Sequence, residues 1–145
     1  MLMEISFMVQ NVEMPQIDAS AFEGWIEEVA RRHDRRVGAL TYVLCDDEYI
    51  LATNRQFLGH DYYTDIITFD YSNSHRISGD MVISLDTVRS NAEQLGVDYN
   101  TELLRVLVHG VLHLCGINDK GPGEREIMEQ HENEALAIAP DNILA

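Results

Sequence analysis

The segment from residue 101 to residue 115 constrains the fold of this 145-residue chain more than any other part of it. Asn100 or Thr101 can cap a helix there, and Gly116 stands where helices often end in a left-handed conformation. Apolar residues fill the interior of the segment at helical spacing, namely Leu103, Leu104, Leu107, Val108, Val111 and Leu112. We therefore predict a largely buried helix that the rest of the chain must surround.

The other patterns predict an α/β (α+β) domain, in which one small mixed β-sheet of about four strands packs with about five helices. Expected strands cover residues 4–10, 39–45, 65–71 and 79–85. Expected helices cover residues 18–34, residues 46–59, the stretch from a cap at Asp86 to Gly96, residues 101–115 and a last segment after Pro122. A length of 145 residues suits one hydrophobic core, so we expect a single domain over residues 1–145.

Two of these helices are amphipathic, and their apolar sides are expected to face the core. In the helix that Asp86 begins, the apolar side holds Val88, Ala92 and Leu95. In the last helix, the apolar side holds Ile127, Met128 and Leu136. The many glutamates of that last helix are most simply a solvated face.

The net charge and composition of the chain limit the kinds of partner that it can bind. A net charge of −15 repels nucleic acid phosphates unless positive charge is gathered locally. No apolar run approaches the roughly 20 residues that span a bilayer, and the N-terminus lacks the features of a signal peptide. Cys45 and Cys115 are too few and too far apart for a disulfide framework or a zinc knuckle. We expect a soluble, cytoplasmic protein with buried, reduced thiols, no membrane association and no DNA partner.

Positive charge is gathered in one segment, Arg-Arg-His-Asp-Arg-Arg at residues 31–36, which holds four of the ten basic residues. Arginines at the end of a helix complement the helix dipole, and we favour that explanation. A surface patch that contacts phosphates is the alternative interpretation.

His109 and His113 are four residues apart, so both imidazoles leave one face of the predicted helix and can reach one metal ion. Two histidines at this spacing are usually plain surface or core residues, but unpaired imidazoles are costly to bury in so apolar a helix. The chain turns back after Gly116, so Asp119 can supply a third ligand. Three protein ligands with an open fourth position describe a catalytic zinc site. We predict one Zn²⁺ per chain, held by His109, His113 and Asp119 on a zincin-like helix.

The residue after the first histidine is Gly110, where zinc metalloproteases carry the glutamate that serves as general base. Glycine cannot move a proton, so peptide hydrolysis by that route is disfavoured. A glycine here is expected to leave room beside the metal for a bulky group. The site is therefore expected to be zincin-like but adapted to another substrate.

The motif at residues 109–119, HGVLHLCGIND, resembles the H-G-x-L-H-L-x-G-Y-D-H signature of the YbeY endoribonucleases, also called rRNA maturation factors. Upstream, YTDIITFDY (63–71) is similar to the family's P-T-D-V-L-S-F-P segment, and GDMVIS (79–84) to its G-D-I-V-I-S strand. NRQFL (54–58) resembles the preceding family helix. These blocks occur in the family's order and spacing.

The resemblance implies a single-strand-selective, metal-dependent endoribonuclease that matures rRNA, notably the 3′ end of the small-subunit rRNA, and acts in ribosome quality control. It implies rRNA and the small ribosomal subunit as partners, a cytoplasmic location, and one zinc held by three histidines. The first two family histidines match His109 and His113, whereas the third is Asp119 here. Aspartate is a competent ligand, although this harder donor can weaken zinc relative to other divalent metals.

The resemblance also indicates substrate-binding positions outside the signature. The family carries an arginine, linked to RNA cleavage, where this chain has Leu58, and Arg55 lies nearly one helical turn earlier as a substitute. Thr64 matches a family position, although a turn hydroxyl bonded to the backbone is its simpler role. Asp65 is the best nearby acid for orienting a ligand or water, and capping a strand is the alternative. The catalytic residue itself, and the choice between water and the ribose 2′-hydroxyl as attacking group, stay open.

Three other functions fit parts of the pattern. Another zinc hydrolase, such as a peptidase, lacks its general base at Gly110. An Fe(II) oxygenase also uses two histidines and a carboxylate, but usually on strands rather than on a helix. A non-enzymatic ribosome-assembly factor with a structural metal is consistent with Leu58 and with the acidic surface. His131, on the last helix, is a rival third ligand.

Overall fold

Four segments of the chain, β1 to β4 in chain order, form one mixed sheet with strand order β1-β2-β4-β3. The computed structural model describes residues 3–60 and 64–144. The strands are β1 Glu4–Gln10, β2 Arg36–Cys45, β3 Ile66–Asp70 and β4 Arg76–Ser84. β1, β2 and β4 run parallel, whereas β3 pairs with β4 in the antiparallel direction. The predicted small mixed sheet is therefore confirmed.

Five helices accompany the sheet in the described ranges, in the predicted order. They are α1 Ala19–Arg32, α2 Asp47–Thr53, α3 Leu85–Leu95, α4 Tyr99–Leu114 and α5 Glu124–Ala137. A π-helical turn, Asn54–Leu58, continues α2 and ends at Gly59, whose φ is 67°. Such turns are frequent near functional sites, because the extra residue redirects side chains. None of the helices in these ranges is both long and apolar enough to span a bilayer.

Each face of the sheet carries an apolar core, because successive residues of a strand point to opposite sides. The larger core lies under α1 and α4 and includes Phe22, Trp25, Ile26, Val29, Leu40, Tyr42, Met81, Leu107 and Val111. The smaller core lies under α2 and contains Cys45, Ile50, Ile67 and Val82. Polar groups in the larger core are paired: Tyr42 Oη donates to the Leu107 carbonyl at 3.2 Å, and Trp25 Nε1 donates to that of Ala135 at 2.8 Å.

The two cysteines are free and buried, as the sequence predicts. Burial raises the pKa of the Cys45 thiol to about 12 and that of the Cys115 thiol to about 11. Both therefore stay protonated and unreactive near neutral pH.

Helix α4 approaches β4 closely at Gly110. A Cβ atom added at Gly110 would lie 2.5 Å from Met81 Sδ and 3.1 Å from Ile66 Cδ1. The expectation that Gly110 leaves room beside a metal for a bulky group is therefore wrong, because the sheet already fills that space. Gly110 instead lets α4 lie close against the sheet.

Two predicted core residues are exposed to solvent. Leu95 is 63% exposed and Ile127 is 52% exposed, although each has the spacing of an apolar face. Leu95 is the last residue of α3, and Ile127 lies in the first turn of α5. The ends of a helix often extend past the elements on which it packs. Periodicity alone therefore predicts burial for apolar residues at these ends that are in fact exposed.

Two of the predicted helix starts are displaced by two or three residues. α4 begins after Asp98 rather than after Asn100 or Thr101. α3 is capped by Ser84 rather than by Asp86, because the Ser84 side chain accepts a hydrogen bond from the Thr87 amide. The Asp86 carboxylate instead accepts one from the Asp47 amide at 3.1 Å, which ties α3 to α2.

Candidate active site

A cavity of about 230 Å³ lies between α4, the π-helical turn and the start of β3. His109, His113 and Asp119 line it, and so do Thr64 and Asp65. Five of the six residues singled out from the sequence therefore meet in one place. We call this cavity, with its lining residues, the candidate site.

Arg55 is the residue of that set that lies elsewhere. Its side chain is exposed on the π-helical turn and is not among the described residues that line the candidate site. Leu58, one turn further along, does line it. The structure therefore gives no support to Arg55 as a substitute for the family arginine.

The imidazole of His109 lies between two carboxylates. Its Nδ1 lies 2.6 Å from Oε2 of Glu132 on α5, and its Nε2 lies 3.4 Å from Oδ2 of Asp119. The first contact is a short, charge-assisted hydrogen bond in which Nδ1–H donates to the carboxylate. The second is too long for a good hydrogen bond. Glu132 thus fixes the ring orientation and leaves Nε2 facing Asp119.

A row of charged residues extends from His109 along α4. Arg105 Nη1 donates to Glu132 Oε1 at 3.0 Å, and Arg105 Nε lies 3.6 Å from Glu102 Oε1. Glu102 and Glu132 are only 4% and 8% exposed. Carboxylates so deeply buried need charged partners, and Arg105 stands between the two. Arg105 and the two glutamates therefore support the side chain of His109, which lines the candidate site.

The same row lines a second, larger cavity of about 610 Å³, which adjoins the candidate site. Asp65, His109 and Asp119 line both cavities. The two cavities therefore lie next to each other at His109.

Burial and neighbouring charges shift three pKa values in this region. Burial lowers the pKa of His109, but the hydrogen bond and charge of Glu132, with the charge of Asp119, outweigh it and leave a raised pKa. Burial raises the pKa of Asp65, and the charge of His109 only partly offsets this. Burial also raises the pKa of Glu102 against the opposing charge of Arg105. All three shifts are upward, so each of these groups keeps its proton to a higher pH than it would in water.

The three predicted metal ligands are near one another without forming a closed cluster. Within residues 3–60 and 64–144, no three His, Cys, Asp or Glu side chains are close enough together to hold a metal ion. His109 and Asp119 face each other, and His113 lines the same cavity. Their role as ligands stays a prediction.

His131, the rival third ligand, is directed elsewhere. Its ring packs edge-on against that of His33, with centroids 4.9 Å apart, and its Nδ1 lies 3.7 Å from Glu134. His131 is not among the described residues that line either cavity.

Sequence reasoning missed Glu132, which it assigned to a solvated face. A signal for its burial was present: Glu132 lies four residues after Met128 and three before Ala135, and both are buried in α5. It also missed Lys120, which lines the candidate site directly after Asp119.

Comparisons with known proteins show which proteins this chain is similar to. A family model described as "Endoribonuclease YbeY" matches residues 7–139. An Endoribonuclease YbeY of Parabacteroides distasonis is 58% identical over 139 residues, which cover 96% of this chain and 98% of the relative. One of Phocaeicola vulgatus is 62% identical over 134 residues, which cover 92% and 97%. The solution structure of TM1509 from Thermotoga maritima has a TM-score of 0.58 at 24% identity, covers 90% of this chain and 86% of its own, and shows a shared fold.

Proposed function

We propose, because the chain belongs to the endoribonuclease YbeY family, that it is a single-strand-selective, metal-dependent endoribonuclease. Family membership gives the general activity, which is hydrolysis of RNA. The proposal adds the metal and assigns the substrate: rRNA, notably the 3′ end of the small-subunit rRNA, with a part in ribosome quality control. It implies a cytoplasmic protein that meets the small ribosomal subunit. The observation that carries it is that His109, His113 and Asp119 line one cavity.

His109, His113 and Asp119 are the residues that would hold the metal. Two imidazoles and a carboxylate are a donor set that suits Zn²⁺. Donors bound tetrahedrally at about 2.0–2.1 Å stand roughly 3.3 Å apart, and His109 Nε2 and Asp119 Oδ2 are 3.4 Å apart. Glu132, on the other ring nitrogen, is the kind of carboxylate partner that metal-binding histidines usually have. These features support the fit.

The lining of the candidate site also suits a phosphodiester. A bound metal would supply Lewis-acid charge at the scissile phosphate. Lys120 is the only lysine or arginine among the described residues that line the candidate site, and its ammonium can pair with a non-bridging phosphate oxygen. Thr64 offers a hydroxyl in the same cavity, where it also donates to the Ile66 carbonyl at 3.4 Å.

Asp65 is the residue best placed to move a proton. It precedes β3, and its carbonyl accepts a hydrogen bond from the Ser84 amide at 2.9 Å, so the backbone position is fixed. Its carboxyl lines both cavities and has a raised pKa because it is buried. Asp65 can therefore accept a proton from the attacking hydroxyl or water more readily than an exposed aspartate.

The proposal is tested by cleavage of labelled single-stranded and double-stranded RNA of one sequence. We expect cleavage of the single strand, loss of activity with chelator, and recovery on addition of Zn²⁺. Asp119→Ala is expected to be inactive, whereas His131→Ala, a matched control outside the two cavities, keeps activity. Cleavage that persists with chelator would contradict the metal dependence. Equal cleavage of both substrates would contradict the single-strand selectivity.

Two further experiments test the substrate and the attacking group. In cells that carry His113→Ala as their only copy, small-subunit rRNA is expected to accumulate with an extended 3′ end. Normal rRNA processing together with loss of ribosome binding would instead favour an assembly factor. Cleavage that persists on a 2′-deoxy substrate would exclude the 2′-hydroxyl as the attacking group.

A further inference from the structure

A third cavity gathers positive charge at the end of the sheet far from the candidate site. Four of the ten basic residues line this cavity of about 410 Å³. They are Arg31, Arg35, Arg36 and Arg76. We call it the basic groove. On a chain of net charge −15, such a gathering of arginines sets this surface apart.

Two of these arginines are neighbours across the sheet. Arg36 and Arg76 are the first residues of the parallel strands β2 and β4, and they are paired in the register. Like charges opposite each other on a sheet are destabilising. An anion between two guanidinium groups is attracted by both, so the pair suits a negatively charged ligand.

The fold holds the arginines in place. The side chain of Arg76 passes over Gly38, where an added Cβ atom would come within 2.8 Å of its Cγ and Cδ atoms. Arg35 Nη1 donates to the Ser74 carbonyl at 2.6 Å, and Arg35 Nη2 donates to that of Cys115 at 3.4 Å. Side chains held in this way lose less conformational entropy when they bind a phosphate.

Acidic residues reduce the charge of the groove but do not cancel it. Glu27 and Glu28 also line it, and Arg31 Nη2 binds Glu28 at 2.6 Å. Arg32 shares the same carboxylate at 3.1 Å. The lining therefore has four arginines against two glutamates.

The groove and the candidate site are joined by β4. That strand runs from Arg76 at the groove to Ser84, which pairs with Asp65 at the candidate site. Nine residues of strand separate its ends by about 26 Å at roughly 3.3 Å per residue. One RNA strand can therefore be cleaved at the candidate site and held at the groove only if it extends several nucleotides from the scissile bond.

We propose that the basic groove binds backbone phosphates of the RNA substrate at a distance from the cleaved bond. This inference rests on the proposed function, because it takes the ligand to be RNA. The groove contributes affinity for longer RNA and is not needed for the chemical step. It also accounts for RNA binding by a strongly acidic protein, because the attraction is local.

The test compares a long and a short RNA in binding assays with chelator present, so that no cleavage occurs. The long probe is an oligouridylate of about 20 nucleotides, well beyond the roughly 8 nucleotides that span 26 Å at about 3.4 Å each. The short probe is the dinucleotide UpU. The variant is Arg36→Glu with Arg76→Glu, and Arg36→Gln with Arg76→Gln serves if the first does not fold. The matched control is Arg89→Glu, an exposed arginine of α3.

For the long probe, we expect the paired variants to bind roughly tenfold more weakly or worse, and the slope of log K against log salt to fall by about 1.4 for two lost phosphate contacts. For UpU, the affinity is expected to stay as in the wild type, and so is the cleavage rate once Zn²⁺ is restored. Affinity and slope equal to those of Arg89→Glu would overturn the inference and leave an acidic protein as the occupant to test.

The two proposals fail in distinguishable ways. If the wild type binds long RNA through the groove but cleaves no RNA after Zn²⁺ is restored, the proposed function is wrong and the inference about the groove holds. If the wild type cleaves UpU and long RNA, and the paired variants bind long RNA equally well, the groove fails and the proposed function stands.

Discussion

The two faces of α4 are built in different ways. One face packs Leu107 and Val111 into the core, where both are fully buried. The other face carries Glu102, Arg105 and His109, whose charged partners are few and include Glu132 of α5. An apolar face is held by many contacts that are individually weak, whereas a charged row depends on each pair in it. We therefore expect changes to the first face to alter mainly the stability of the protein, and changes to the second to alter mainly the candidate site.

The largest expected effect is on the apolar face. Leu107→Ala should lower the free energy of unfolding by about 2–5 kcal/mol, because it leaves a cavity in the larger core. Urea denaturation measures this, with Leu95→Ala as control. Leu95 is 63% exposed, so its variant should change stability by less than about 0.5 kcal/mol. Equal effects of the two variants would contradict the assignment of the core.

Gly110→Ala tests the point at which α4 meets the sheet. The new Cβ atom would lie 2.5 Å from Met81 Sδ, and overpacking of this kind costs about 1–3 kcal/mol. Met81→Ala, combined with it in a double-mutant cycle, should reduce that cost. If the two changes are simply additive, close packing against Met81 is not the reason for the glycine.

Glu132→Gln tests the charged face of α4. Loss of the carboxylate on His109 Nδ1 should weaken metal binding by about 10–100-fold, as for other partners of metal-binding histidines. Competition with a chelator measures the affinity, and the exposed Glu126→Gln on the same helix is the control. Unchanged affinity in Glu132→Gln would mean that the hydrogen bond supports the fold alone.

The smallest effect concerns pH and the metal-free protein. The pKa of His109 is raised in the folded state, so this group stabilises the protein fully below its ordinary pKa of about 6.5. That contribution is lost as pH rises through the raised value. The stability difference between wild type and His109→Gln, measured in chelator, should therefore shrink from acidic to alkaline pH. A difference that grows with pH would contradict the pairing with Glu132 and Asp119.

Local patterns predicted much of the fold and the position of the candidate site. His109, His113 and Asp119 lie within one helical stretch and the turn after it, so their proximity follows from helix geometry. Thr64 and Asp65 reach the same cavity only through the pairing of β3 with β4, and the family resemblance, not periodicity, drew attention to them.

The supporting residues could not be predicted in the same way. Glu132 reaches His109 from a different helix, and the docking of α5 on α4 has no local signature in an acidic sequence. Arg36 and Arg76 become neighbours only because β2 pairs with β4, which is a crossover between strands that are not consecutive in the chain. Contacts between distant segments need the topology, which one-dimensional patterns do not contain.

The central claim is that His109, His113 and Asp119 bind one metal ion in an endoribonuclease site. Metal content by mass spectrometry, on untagged protein, tests it most directly. The wild type and the control His131→Ala should contain about one zinc per chain, and Asp119→Ala should have lost it. No metal in the freshly purified wild type, with no uptake when zinc is added, would contradict the claim.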